Sequence, residues 1–111
     1  MGNPVRAWEK VNSRRFDVPK PVDAEVDAAI LGALRVAAKL NVLGVSSAEL
    51  DRQEIADSLH MVNPDWLRWP RNPHSWLNRR LGKLAAAGRI VRTEYKPRGC
   101  YRVVTYKLRE E

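Results

Sequence analysis

The apolar period of this chain changes at Gly88, and that change restricts its architecture more than any other feature. Before the glycine, Leu77, Leu81 and Leu84 recur at spacings of four and three, the stripe of an amphipathic helix. After it, residues 90–95 and 101–108 are rich in β-branched and aromatic side chains, with Val104, Tyr106 and Leu108 alternating. Between the two runs stands Lys96-Pro97-Arg98-Gly99-Cys100, and a proline followed by a glycine in so short a connection reads as a hairpin turn. The C-terminal half is therefore expected to be a helix over about 73–87 that hands over to a two-stranded hairpin over 90–108. Gly88 supplies the left-handed residue that closes the helix.

Upstream, two further helices are expected. In residues 23–41, Val26, Ala29, Ile30, Ala33, Leu34, Ala37 and Leu40 recur every three or four positions. Asp23, Glu25 and Asp27 at the start and Lys39 near the end agree with the helix dipole. For the next helix two capping boxes compete, Ser46-x-x-Glu49 and Asp51-x-x-Glu54. The later one is preferred because it places Ile55, Ala56 and Leu59 on one face, giving a helix over about 52–60 and a short extended link or helical turn over 45–50. Asn63-Pro64, Trp69-Pro70 and Asn72-Pro73 then interrupt the chain, since each proline disfavours helix in the residue before it. Pro64 is expected to open a single turn over 65–68. Asn72 reads as an N-cap with Pro73 in the first helical position.

Composition excludes several classes. The chain has 111 residues, one cysteine and no Cys-x-x-Cys, so no internal disulfide and no zinc ribbon is expected. No apolar run approaches the roughly 18–20 residues of a membrane span, and the first residues do not resemble a signal peptide. A cytoplasmic protein, nucleoid-associated in a prokaryotic or viral setting, is expected. Residues 1–22 read as a basic arm, with Arg6, Arg14 and Arg15 beside Trp8 and Phe16, and 23–111 as the domain proper. His74 and Ser75 are neighbours at a helix start, so their side chains diverge and do not form a base and nucleophile. Cys100 has no activating base nearby in sequence, and no glycine-rich phosphate loop is present. No catalysis, cofactor or metal is expected.

Charge placement points elsewhere. The net charge of +7 divides unevenly: residues 21–62 hold three basic and seven acidic side chains, and residues 63–111 hold twelve basic and four acidic. A basic region beside an acidic one reads as a face for a polyanion, with a merely solubilising surface as the plainer alternative. With Leu77, Leu81 and Leu84 turned inward, a 100° wheel turns Asn72, Ser75, Arg79, Gly82 and Ala86 outward, with Arg71, Asn78 and Lys83 on the shoulders. No acid stands between Asp65 and Glu94. Arg and Asn are the side chains that read guanine and adenine edges in a major groove. The hairpin adds Arg92, Lys96, Arg98 and Arg102, cations suited either to a DNA backbone or to protecting strand edges. Arg14 and Arg15 are candidates for a minor-groove arm. Arg80 either packs or pairs with an acid of the first helix, or else reaches a phosphate. Of Trp66, Trp69 and Trp76, two are expected to fill the core, and an exposed one would favour single-stranded nucleic acid or a protein partner.

The order arm, helix, helix, helix, hairpin resembles the winged helix-turn-helix family of nucleic-acid-binding domains. The resemblance lies in Leu77-x-x-Arg80-Leu81-x-x-Leu84-x-x-x-Gly88-x-Ile90, then Tyr101-x-x-x-x-Tyr106-x-Leu108, and spans about 23–109. It implies an α+β winged helix that binds double-stranded DNA with the 73–87 helix in the major groove and the 90–108 hairpin alongside. It also implies a transcriptional regulator or replication factor, with homodimers common in the family. The run from Trp69-Pro70-Arg71-Asn72-Pro73 to Gly88 further looks like the winged-helix ends of plasmid and phage primase-helicases. One departure stands out: the link from His60 to Pro73 is much longer than the usual tight turn. It reads as an insertion that leaves open whether the helical pair packs in the ordinary way, and its Trp66 and Trp69 offer a protein partner a grip. The alternatives to duplex binding are thus a protein-interaction module and a single-strand binder.

Overall fold

The structure, a computed structural model, describes residues 18–96 and 102–109. The elements run α1 (Asp23–Val42), β1 (Leu50–Asp51), α2 (Arg52–Val62), α3 (Asp65–Arg68), α4 (Pro73–Ala86), β2 (Ile90–Tyr95) and β3 (Val103–Leu108). The expected arm up to residue 17 and the hairpin tip, with Arg14, Arg15, Arg98 and Cys100, lie outside the described residues. Among the described residues no helix is long and apolar enough to cross a membrane.

Local chemistry accounts for each boundary. Asp51 caps α2 through the later of the two boxes: its carboxylate accepts from the Glu54 N–H at 2.8 Å, and the Glu54 carboxylate accepts from the Asp51 N–H at 3.1 Å. Asn72 caps α4, accepting from the Ser75 N–H at 3.1 Å, with Pro73 following. At the far ends of α1 and α4, Gly44 and Gly88 take φ of 76° and 75°. There the N–H groups of Val45 and Arg89 reach back to the carbonyls of Leu40 and Leu84, each at 2.9 Å. Those bonds satisfy carbonyls that the helix ends leave open.

The antiparallel sheet has the order β1-β3-β2, one strand more than the expected hairpin. The added strand is β1, with Leu50 opposite Tyr106 and Asp51 opposite Thr105. It is only two residues long, too short to show an alternating pattern. Between β2 and β3 the register sets Ile90, Arg92 and Glu94 against Leu108, Tyr106 and Val104. These six share one face, which is apolar at the base and charged towards the tip.

The core lies between that sheet base and the helices. Val26, Ile30, Leu34, Ile55, Leu59, Leu67, Leu77 and Leu81 are its largest fully buried side chains. The long link is not a break in this packing. Asn63 accepts the Asp65 N–H at 3.0 Å and starts α3, whose Trp66 and Leu67 are buried, and α2 still packs against α4. The link adds a plug to the core and leaves the helical pair together, which answers the question its length raises. In α1 the buried stripe is Val26, Ile30, Leu34 and Ala37 with Leu31 at its edge, whereas Leu40 is 36% exposed. The stripe is centred about 50° round the wheel, half a residue step, from where the sequence places it.

Candidate nucleic-acid interface

Helix α4 turns its leucines inward and exposes Ser75, Asn78, Arg79, Gly82, Lys83 and Ala86. Arg80 fixes that setting. Its side chain is only 10% exposed and grips Asp27 of α1 with two bonds, Nε–Oδ1 at 3.1 Å and Nη2–Oδ2 at 2.6 Å. Asp23 adds a longer contact at 3.4 Å. The hydrogen bond to Asp27 raises the Arg80 pKa above the ordinary guanidinium value, against the opposing effect of burial. Of the alternatives the sequence leaves open for Arg80, pairing with the first helix is the one observed. Arg79, 100° further round, is left pointing to solvent.

Beside α4 runs an open groove of about 560 Å³. Asn78 and Gly82 form one wall, Arg92, Arg102 and Tyr106 of the hairpin the other, and Asp51, Arg52 and Gln53 at the start of α2 close one end. A Cβ on Gly82 would meet nothing within 4 Å. The interior packing therefore does not require glycine there, although glycine inside a helix costs about 1 kcal/mol relative to alanine. Its use at this position leaves the helix surface low where a second surface can come close.

The expected site residues separate into groups. Arg71, Ser75, Asn78, Arg79 and Lys83 are exposed on α4 or just before it, and the three cations form no ion pair among the described residues. Asn72 is exposed, but its side-chain oxygen is occupied as the cap. Arg92 and Arg102 reach the groove while sharing Glu94, at 2.6 Å and 3.6 Å. The bond to Glu94 raises the Arg92 pKa above the ordinary guanidinium value. Lys96 is exposed further out, beside Glu94, Tyr95 and Arg102. Of the tryptophans, Trp66 and Trp76 are each 7% exposed, and Trp69 is half-buried with the Lys20 ammonium 6.0 Å from its ring centre.

Arg52 and Gln53 are the groove residues the sequence reading missed. The Nε of Arg52 is buried and has no hydrogen-bond partner among the described residues. A signal existed: Arg52 is a cation in the first turn of a helix, where the dipole favours an acid. No protein-family model, curated protein or solved structure matches the chain.

Proposed function

We propose that the protein binds double-stranded DNA, with α4 in the major groove and the β2–β3 hairpin lying alongside as a wing. The observation that carries this reading is the acid-free outer face of α4, where Arg79, Lys83 and Asn78 stand exposed around Gly82. The neighbouring groove adds Arg52, Arg92 and Arg102. The layout of helices with a small antiparallel sheet is compatible with a winged helix. At 14 residues α4 is about 21 Å long, enough to lie along a groove. The role we assign is binding, as a transcriptional regulator or replication-associated factor, and the reading requires no catalytic group, cofactor or metal.

A single-strand platform fits less well, because Trp66 and Trp76 are spent on the core and Trp69 is half-covered. The deciding measurement is the affinity for a labelled random duplex as salt is varied. About five phosphate contacts give a log–log slope of about −4 to −5, and Arg79→Ala with Lys83→Ala reduces its magnitude by about 2. A flat salt dependence, or equal curves for both proteins, rejects the proposal. Preferential competition by single strands would transfer the reading to that ligand.

A further inference from the structure

Helix α1 is apolar on two sides, and the described fold covers one of them. Val26, Ile30, Leu34 and Ala37 face the core. Round the helix, Ala29 at the edge of the core is followed by Ala33, Val36, Leu40 and, just past the helix end, Leu43, at alternating spacings of four and three, the repeat of a helix-pairing seam. Val36 is 57%, Leu40 36% and Leu43 74% exposed. An amphipathic helix needs one apolar stripe for its core, and this one carries a second apolar flank that the described fold leaves open.

Two further observations identify what covers the open side. Glu25, Gly32 and Lys39 lie seven residues apart beside the seam, nearly in line along the helix. A Cβ on Gly32 would meet nothing within 4 Å, so the chain's own packing does not call for a glycine in mid-helix. It does permit a second backbone to approach closely. Glu25 and Lys39 are exposed and unpaired among the described residues. Acid at one end and base at the other, with the glycine midway, is a self-complementary pattern when the helix meets its own reversed copy.

We infer that two copies of this chain pair through α1, antiparallel about a twofold axis near Gly32, with Glu25 of each copy against Lys39 of the other. Such an isologous contact uses one patch twice and closes at two. It is separate from the nucleic-acid reading.

Sedimentation velocity of the full chain without nucleic acid, from about 1 to about 200 µM, tests it. The wild type is expected to pass from monomer to dimer over that range, and Val36→Glu to stay monomeric. Glu25→Lys or Lys39→Glu alone creates like-charge contacts at both ends and weakens the dimer about tenfold, while the two together restore it. These are exposed positions, so circular dichroism of each variant should match the wild type. A wild type that is monomeric throughout, a dimer indifferent to Val36→Glu, or a double reversal that fails to recover overturns the inference. The first result would leave the seam to a different protein.

Discussion

Glu94 stands where a phosphate bound to the hairpin would have to stand. Its carboxylate holds Arg92 at 2.6 Å and faces Arg102 at 3.6 Å, with all three side chains well exposed. A pair this exposed contributes little to stability, so its main effect is on the charge presented to a ligand. Glu94→Gln should tighten binding to a random duplex about three- to tenfold at low salt and steepen the log–log slope by about 1. Fluorescence anisotropy over a salt series checks this, and an unchanged slope would mean that the hairpin arginines meet no phosphate. The outward setting of Arg79 and Lys83 was legible in the sequence because the leucine stripe alone orients the helix. Arg52 was not, because its value comes from the hairpin arriving beside α2, a contact between positions far apart in the chain.

Between elements, two polar contacts hold α4 and the hairpin in place. Arg80 ties α4 to α1 through Asp27 and Asp23. Arg80→Ala leaves Asp27, whose side chain is 23% exposed, without its partner. The expected cost is about 2–3 kcal/mol, at the low end for a buried pair because Asp27 keeps some access to water. Calorimetry should show the midpoint falling by roughly 10–20 °C. Since Arg80 points inward, the salt slope of the remaining folded protein should not change. Tyr95 ties the hairpin to the segment before β1, its hydroxyl donating to the Glu49 carboxylate at 2.8 Å. That bond raises the phenol above its ordinary pKa of 10. The protonated phenol is the form favoured in the fold, so the contact is intact below about pH 10 and is lost as pH rises through the raised value. An absorbance titration should show a late-ionising tyrosine that disappears in Tyr95→Phe. These ties were only half legible: the sequence left Arg80 open between two fates and gave no sign of Glu49 with Tyr95, since neither pair is close in sequence.

Over the whole molecule, the helices and the hairpin were readable because apolar period, caps and prolines agreed at each boundary. Asp51 with Glu54, Asn72 with Pro73, and Gly88 each stand where the elements begin or end. What the sequence concealed was how parts close over one another: a strand of two residues, and a proline-broken link that leaves α2 packed on α4. Strand β1 also has a mechanical consequence. It ends at Asp51 and α2 begins at Arg52, with no loop to absorb movement. β1 is laddered to β3, and α2 rests on α4, so a push on the hairpin is transmitted as through a lever to the arginine-bearing helix. The two prongs of the molecule should therefore engage a target together, as a stiff fork, and a spacer inserted between residues 51 and 52 would give each its own play.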